Sequence, residues 1–506
     1  MMGARCAVDL VLINPGGRQR VFQSLGSTLA AIEPPVWAGL MAAFVRRHGY
    51  SVTIVDASAD DLSPEEAAAR VLDLAPRLVA VVVYGHQPSA STQNMPAAGA
   101  ICAAIKANTP EQPVLLVGGH VAALPERTIR EEAADYVARG EGLYTLVDLL
   151  AALAEQTAPD LSRVRDLVYV SDGRLSFGPA APLVTDLDAS MPAMAWDLVG
   201  VGRGRAHNWH CFGYPDREPY AALYTTLGCP YKCTFCCIQA PFRSGEEALG
   251  RKAGTNSYRF WSPQNVVAQI DTLVREHGVR HLKFADELFV LNPRHVHAIC
   301  DLLIERDYGL NIWAYARVDS VRDEMLEKLK RAGVNWLAFG IEAASERVRV
   351  DAQKGFAQEK IARTIAKVRA AGIHVIGNYI FGLPEDDLGT MQATLDLALE
   401  LNCEFANFYC TMAYPGSALY ERALAKGWPL PQSWAGYSQH AADCLPLPTR
   451  TLSGPEVLAF RDRAFGRYFC DPAYLSMVEC TFGAGTRAEV EAMTDKQLLR
   501  QRALAA

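Results

Sequence analysis

The stretch Gly228-Cys229-Pro230-Tyr231-Lys232-Cys233-Thr234-Phe235-Cys236-Cys237 holds four of the 13 cysteines of this chain. It directly follows the apolar run Tyr220–Thr226, which the sequence predicts to be a strand, so the cysteines lie on a tight loop. Three thiolates spaced C-x3-C-x2-C can hold three irons of a 4Fe–4S cluster and leave the fourth iron with an open site. We therefore predict that Cys229, Cys233 and Cys236 bind such a cluster.

Two other interpretations of this loop are weaker. A structural zinc site usually has four ligands arranged as cysteine pairs, and no second pair follows at a suitable distance. Buried thiols that merely pack as small hydrophobes would not place three cysteines in a loop with Gly and Pro. Cys237 is interpreted as a bystander, because its side chain should point away from that of Cys236.

The segment around the loop alternates strands with helices, which predicts six β/α units. A full barrel of this kind has eight units, so six predict a partial barrel that is open on one side. The predicted strands are Tyr220–Thr226, Val279–Phe284, Ile312–Ala316, Trp336–Ile341, His374–Phe381 and Phe405–Met412. The predicted helices between them are Pro263–Glu276, Arg294–Arg306, Val321–Ala332, Glu359–Ala370 and Leu388–Leu401.

A second alternating series precedes this one. Its strands are continuous apolar runs separated by helical segments, a pattern typical of a doubly wound parallel sheet whose ligand crevice lies at the carboxyl ends of the strands. These predicted strands are Val8–Asn14, Ser51–Asp56, Leu78–Tyr84, Val114–Val117 and Ala134–Ala138. The fold class is therefore α/β, with a Rossmann-like domain before the partial barrel.

The domain boundaries follow from changes in composition. We expect a Rossmann-like domain at 1–155, a linker at 156–218 with one small hairpin, the partial barrel at 219–425, and a mainly helical C-terminal segment at 426–506. The C-terminal segment is expected to cap the open side of the barrel.

Composition narrows the function classes. The chain has 506 residues, of which 50% are hydrophobic and 21% charged, with a net charge of −7. This balance is globular and offers no general surface for nucleic acid or anionic membranes. We see no signal peptide and no apolar run long enough to span a bilayer, so the cytoplasm is the expected location, and disulfides are a poor explanation for the cysteines.

The cysteine motif resembles that of the radical S-adenosylmethionine superfamily, in which C-x3-C-x2-C follows the first strand of a partial barrel. Phe235 fills the superfamily's aromatic position before the last cysteine. The resemblance covers about residues 220–425. It implies an oxygen-sensitive enzyme in which the open iron binds the amino and carboxylate groups of S-adenosylmethionine, and one electron releases a 5′-deoxyadenosyl radical.

Polar and glycine motifs at the later strand ends resemble the superfamily's S-adenosylmethionine-binding elements. The alternative is that these groups only cap strands or helices, but carboxylates at the ends of barrel strands favour a site. The residues that the resemblance assigns to S-adenosylmethionine are Phe235, Asp286, Glu287, Arg317, Glu342, Ser345, Gly377 and Gly382.

The first domain resembles the cobalamin-binding domain that precedes one branch of this superfamily. The resemblance assigns cobalamin contacts to Gly16, Ser89, Gly118, Gly119, Gly140 and Glu141. Many such domains carry Asp-x-His-x-x-Gly after the first strand, whereas this chain has Asn14-Pro15-Gly16-Gly17-Arg18. We therefore expect cobalamin with its dimethylbenzimidazole displaced and no histidine on the metal. His86 either approaches the corrin or lies in a solvated loop, and a doubly wound fold that binds another nucleotide or nothing remains the alternative.

The combined resemblance implies a cobalamin-dependent radical methyltransferase that consumes two molecules of S-adenosylmethionine. One methylates cobalamin, and the other yields the radical that activates an unreactive carbon of a small molecule, which then takes the methyl group from methylcobalamin. The alternatives are a cyclase or ring-rearranging enzyme with the same cofactors, and a non-catalytic cobalamin or iron–sulfur sensor. A low-potential electron donor such as flavodoxin or ferredoxin is the implied partner.

Overall fold

The computed structural model describes residues 7–155 and 159–501. It contains two separate parallel β-systems joined by a mixed segment and followed by helices, which confirms the predicted α/β class. The strands are β1 Val8–Asn14, β2 Val52–Asp56, β3 Pro76–Val82, β4 Val114–Val117, β5 Tyr136–Ala138, β6 Leu167–Ser171, β7 Arg174–Phe177, β8 Tyr220–Leu223, β9 Thr226–Leu227, β10 Arg259–Phe260, β11 His281–Phe284, β12 Asn311–Ala316, β13 Val334–Glu342, β14 His374–Phe381 and β15 Phe405–Cys410.

The helices cover both faces of the first sheet and the outside of the second. They are α1 Arg18–Phe22, α2 Leu25–Thr28, α3 Val36–Arg47, α4 Pro64–Leu72, α5 Ala90–Asn108, α6 Gly119–Ala123, α7 Pro125–Glu131, α8 Leu143–Leu153, α9 Leu187–Ser190, α10 Trp196–Val199, α11 Arg243–Ala248, α12 Pro263–His277, α13 Pro293–Arg306, α14 Asp323–Arg331, α15 Glu346–Asp351, α16 Glu359–Ala370, α17 Leu388–Leu401, α18 Ala418–Lys426, α19 Gly454–Phe469, α20 Pro472–Phe482 and α21 Ala484–Thr494.

The first sheet has the order β2-β1-β3-β4-β5-β6-β7, and its first five strands are parallel. The hairpin β6–β7 pairs antiparallel with β5 and extends this sheet, so the segment 156–218 is more than the linker that the sequence indicated. Burial explains the addition, because Leu167 and Val168 are fully buried against the sheet core.

The second sheet has the order β15-β14-β13-β12-β11-β8, with every neighbouring pair parallel. Its six strands confirm the predicted partial barrel. The predicted strand Tyr220–Thr226 is divided into β8 and β9, because the carboxylate of Asp286 accepts the backbone N–H groups of Thr225 and Thr226 and turns the chain out of the sheet.

The two domains share one continuous hydrophobic core. At its centre Trp37 of α3 stacks on Tyr84, with ring centroids 4.0 Å apart, and packs edge-on against Tyr224 of the barrel. The helix α19 closes the β14–β15 side of the barrel, where Tyr468 donates a hydrogen bond to the carbonyl of Cys403 at 2.7 Å. This contact agrees with the predicted capping by the C-terminal segment.

Within the described residues, no helix has the length and apolar character that crossing a bilayer requires. The twelve cysteines of the described part of the chain are all free thiols, so disulfides do not staple this region.

Candidate functional site

A cavity of about 570 Å³ lies between the two domains. The carboxyl ends of β1 and β3 border it on one side, and the carboxyl ends of the barrel strands border it on the other. Open α/β sheets and β/α barrels both place their ligands at this end of their strands. The two ligand-binding edges therefore face one shared space, which we call the interdomain cavity.

The three predicted cluster ligands, Cys229, Cys233 and Cys236, all lie on the wall of the interdomain cavity. They are partly exposed, whereas Cys237 is buried, although it too borders the cavity. Phe235 also lines the cavity. The loop 228–237 thus brings together the trio that the sequence predicted and gives it access to the cavity.

Hydrogen bonds hold this cysteine loop in place from several directions. Gln239 donates a hydrogen bond from its side-chain amide to the carbonyl of Cys229 at 2.7 Å. The backbone N–H of Thr234 donates to the carbonyl of Ala352, and its carbonyl accepts from the N–H of Leu419. A loop fixed in this way presents its thiolates in one geometry, as a metal cluster requires.

Gly228 starts the loop in a conformation that only glycine accommodates easily, since its φ is +88° and a Cβ there would lie 2.3 Å from the carbonyl oxygen of Ser257. Gly228→Ala is expected to displace the cysteine loop and at least halve the iron bound after anaerobic reconstitution, measured by iron and sulfide assay. Gly250→Ala is the matched control, because Gly250 has φ +66° and open space around it. Equal iron content in both variants would contradict this expectation.

Two cations stand beside the cysteines. The Nη1 atom of Arg317 lies 3.9 Å from the Sγ of Cys233, while its other nitrogens bind Asp319 at 2.8 and 3.1 Å. Lys354 is buried and forms an ion pair with Glu342 on the cavity wall. Burial alone would lower the pKa of Lys354, but the neighbouring charges of Glu342 and Cys233 raise it. These cations suit thiolates and a negatively charged cluster.

Glu287 borders the interdomain cavity, and the described residues offer its carboxylate no hydrogen bond or ion pair. Burial raises its pKa to about 8, although the charge of Lys283 acts in the opposite direction. An unpaired carboxylate next to three cysteine ligands fits a cationic group of a bound ligand. The structure therefore agrees with a ligand-binding role for Glu287.

Asp286 is placed differently from its neighbour. It is fully buried, lies off the cavity wall and accepts hydrogen bonds from Thr225 at 2.6 Å and Thr226 at 3.1 Å. Its pKa is raised to about 6 by burial despite these bonds. Asp286 therefore positions the chain that enters the cysteine loop, and this placement argues against the direct contact with S-adenosylmethionine expected from the sequence.

The other residues predicted to bind S-adenosylmethionine also include some that line the cavity and some that do not. Arg317 and Glu342 line the cavity, and Ser345, Gly377 and Gly382 do not. A Cβ on Gly377 would lie 2.7 Å from the ring of Tyr379, and one on Gly382 would lie 2.5 Å from Val457 of α19. Ser345 only precedes the helix α15. The two glycines serve close packing in this structure.

Of the six residues predicted to contact cobalamin, Gly16 and Ser89 line the cavity. Gly118 and Gly119 lie off its wall, where a Cβ on Gly118 would come within 2.1 Å of the carbonyl oxygen of Val83. Gly118 therefore permits the close approach of two strand ends rather than contact across the cavity.

Gly140 and Glu141 belong to the interface between the domains. A Cβ on Gly140 would lie 2.1 Å from the carboxylate of Asp166. Glu141 is buried and forms an ion pair with Arg259 at 2.7 Å, with side chains 6% and 4% exposed. In this structure Glu141 contacts the barrel domain, and its predicted contact with cobalamin stays a prediction.

Sequence reasoning missed a charged group on the cavity wall. Lys283 of β11 binds Glu33 of the first domain at 3.3 Å and donates to the carbonyl of His86 at 3.1 Å. Burial alone would raise the pKa of Glu33, but Lys283 and His207 hold it well below its usual range. A lysine within the short apolar strand His281–Phe284 was the available signal, because lysines are almost never fully buried without a partner.

His86 also lines the cavity, so it is not the solvated loop residue that was one of its two interpretations. Its pKa is lowered to about 4, first by burial and then by the charge of Lys283. The C-terminal segment contributes Ser438, His440 and Arg461 to the same wall. Since His207 and Trp209 of the segment 156–218 also line it, all four parts of the chain contribute to the cavity.

These residues fit a 4Fe–4S cluster and a cationic ligand bound to it, because three accessible cysteines, two cations and a free carboxylate meet at one wall. The opposite wall fits a large neutral cofactor, but this match is less specific than that of the cysteine wall to a cluster. It includes the ends of β1 and β3, Ser89, and Ala90 at the start of α5.

Two family models match the chain. The radical SAM superfamily model matches residues 223–398, which include the cysteine loop and most of the barrel. The B12-binding domain model matches residues 23–150, which form most of the first sheet and its helices. Each model therefore covers one of the two walls of the interdomain cavity.

Curated relatives align with this chain over most of their length. An uncharacterized methyltransferase of Pyrococcus horikoshii is 28% identical over 435 residues, covering 85% of this chain and 86% of the relative. The anaerobic magnesium-protoporphyrin IX monomethyl ester cyclase of Rubrivivax gelatinosus is 27% identical over 407 residues, covering 79% of this chain and 68% of the relative.

Solved structures share the fold. The radical S-adenosylmethionine methyltransferase TsrM from Kitasatospora setae, with tryptophan and a S-adenosylmethionine analogue bound, superposes with a TM-score of 0.67 at 16% identity and covers 96% of this chain and 98% of its own. The cobalamin-dependent enzyme OxsB superposes with a TM-score of 0.69 at 16% identity, covering 96% of this chain and 70% of its own. The chain therefore contains a B12-binding domain followed by a radical SAM domain.

Proposed function

We propose that this protein methylates an unactivated carbon of a small-molecule substrate, with a 4Fe–4S cluster, S-adenosylmethionine and cobalamin as cofactors. The observation that carries the proposal is the interdomain cavity, whose walls combine the cysteine trio with the strand ends of the B12-binding domain. When bound, the cluster with S-adenosylmethionine supplies a hydrogen-abstracting radical, and cobalamin supplies the methyl group.

The chain's own residues have separate tasks in this proposal. Cys229, Cys233 and Cys236 hold three irons, and Glu287 binds the cationic part of S-adenosylmethionine. Arg317 keeps a positive charge 3.9 Å from Cys233. The substrate enters between the two cofactors, where a fixed geometry favours reaction at one carbon.

The decisive experiment incubates the reconstituted protein anaerobically with methyl-labelled S-adenosylmethionine, a low-potential reductant and a metabolite extract. We expect S-adenosylhomocysteine and 5′-deoxyadenosine in similar amounts and a labelled product in the mass spectrum. The first nucleoside reports methylation of cobalamin, and the second reports radical formation. The absence of both nucleosides would overturn the proposal and favour a non-catalytic cobalamin or iron–sulfur sensor.

A second candidate function is ring formation with the same cofactors. It is favoured by the similarity to the Rubrivivax gelatinosus cyclase and to a Cereibacter sphaeroides cyclase that is 26% identical over 428 residues. In the same experiment a cyclase would form 5′-deoxyadenosine without S-adenosylhomocysteine or labelled product. The ratio of the two nucleosides therefore separates the candidates before the substrate is known.

The raised pKa of Glu287 predicts a pH dependence of S-adenosylmethionine binding. With a pKa of about 8 this group is mostly protonated at neutral pH, so its ability to bind a cation increases as pH rises through that value. We expect the affinity to rise roughly fivefold to tenfold from about pH 7 to about pH 8.5. Calorimetry on wild type and Glu287→Gln checks this, because their difference removes the ligand's own titration. Parallel pH profiles would contradict it.

The proposal includes a low-potential electron donor of the flavodoxin or ferredoxin type and the cytoplasm as the location where such donors operate. Reduction of the cluster by purified flavodoxin, followed by 5′-deoxyadenosine formation, tests this part.

A further inference from the structure

The barrel carries a second group of metal-ligand side chains at the end opposite to the cysteine loop. His210 and Cys211 lie in the short helical turn 209–211, and His281 is the first residue of β11. One potential ligand atom from each of these residues lies within 4.8 Å of the other two, and all three side chains are buried. The amino end of β11 is the far end of the sheet from the interdomain cavity.

The hydrogen bonds of this group leave one imidazole nitrogen without a partner. The Nε2 of His210 is 3.0 Å from the carbonyl oxygen of Asn311 and donates to it, so its Nδ1 carries a lone pair. That Nδ1 is buried and has no hydrogen-bond partner. The Nδ1 of His281 lies 3.1 Å from the side-chain nitrogen of Asn311, so a metal ion bound there would replace that hydrogen bond. Metal-binding histidines characteristically donate their other ring N–H to a carbonyl in this way.

The spacing of the sulfur and nitrogen also suits a metal. The Sγ of Cys211 lies 3.5 Å from the Nδ1 of His281. Two ligands at about 2.3 Å (sulfur) and about 2.0–2.1 Å (nitrogen) from a tetrahedral zinc ion would be about 3.6 Å apart. A thiol–imidazole hydrogen bond has a similar length, but it gives no partner to the buried Nδ1 of His210, whereas a metal ion would.

We propose that His210, Cys211 and His281 bind one zinc ion, which links the turn 209–211 to β11 and keeps its fourth coordination position for solvent. The ligand set of one thiolate and two imidazoles is chemically suited to zinc. Residues 213–216, which follow the turn, are exposed, so the ion and a solvent molecule as fourth ligand enter from that side. This inference is independent of the proposed function.

The test uses the variant in which Cys229, Cys233 and Cys236 are all replaced by alanine, so that zinc cannot occupy the cluster site. We expect about one zinc per chain by mass spectrometry and, by X-ray absorption at the zinc edge, one sulfur at about 2.3 Å with nitrogen ligands at about 2.0–2.1 Å. Less than about a tenth of a zinc per chain, or a zinc shell without sulfur, would overturn the proposal.

A substitution pair gives the second measurement. In the same background Cys211→Ser is expected to lower bound zinc at least fivefold, and Cys300→Ser to leave it unchanged. Cys300 is a suitable control because it is an equally buried cysteine of the barrel domain. An equal zinc content in the two serine variants would also overturn the site. The X-ray absorption measurement is made on the triple alanine variant itself. It therefore tests the site even if Cys211→Ser does not fold.

Discussion

Replacing Cys229, Cys233 and Cys236 together by alanine will reduce iron from about four atoms per chain to background, because no other described side chains at the cavity can replace three thiolates. Formation of 5′-deoxyadenosine will fall by at least about a thousandfold, since cleavage of S-adenosylmethionine depends on an electron from the cluster. Iron and sulfide assays after anaerobic reconstitution, followed by chromatography of the nucleosides, measure both effects.

Cys237→Ala is the matched control for this experiment. Cys237 is adjacent to the trio in sequence and borders the same cavity, but it is buried where the three others are partly exposed. We expect this variant to keep its iron and at least about half of its turnover. Bound cobalamin should stay unchanged in the triple variant, because the B12-binding wall belongs to the other domain. Retention of iron and turnover in the triple variant would refute the assignment of the site.

The parts that the sequence predicted well are those encoded by local patterns. The spacing of the cysteines, the apolar runs of the strands and the alternation with helices all lie within short windows, and the structure reproduces them. Glu287 and Arg317 line the interdomain cavity, as a polar residue at the end of a barrel strand does where its side chain turns inward, and their contact with S-adenosylmethionine stays a prediction.

The parts that failed depend on partners far away in the chain. Asp286 and Glu287 are adjacent strand-end carboxylates, and the sequence contains nothing that separates them. The structure separates them because Asp286 meets two backbone N–H groups about 60 residues earlier, at Thr225 and Thr226. The ion pair of Glu141 could not be predicted either, since its partner Arg259 lies 118 residues later. Such pairings appear only in the folded chain, within the barrel for Asp286 and between the two domains for Glu141.

The ion pair of Glu141 and Arg259 gives the second large expected effect. Arg259→Met will destabilise the protein by about 3–5 kcal/mol, because it leaves the carboxylate of Glu141 buried without a counter-charge. Arg259 also donates to the carbonyl of Val184 at 2.6 Å, and that bond is lost as well. Thermal unfolding followed by circular dichroism measures the change. The control Arg331→Met removes an exposed ion pair with Glu327 and should cost less than about 1 kcal/mol.

The double variant Glu141→Leu with Arg259→Met distinguishes a structural ion pair from a cobalamin ligand. A buried pair replaced on both sides by apolar groups of similar volume is often neutral, so the double variant should be clearly more stable than Arg259→Met alone. If Glu141 only positions the domains, bound cobalamin should recover together with stability. A double variant that folds as well as wild type and still binds at least about tenfold less cobalamin would instead mean that the carboxylate contacts the cofactor. Since Glu141 is 6% exposed and lies off the wall of the interdomain cavity, we expect recovery.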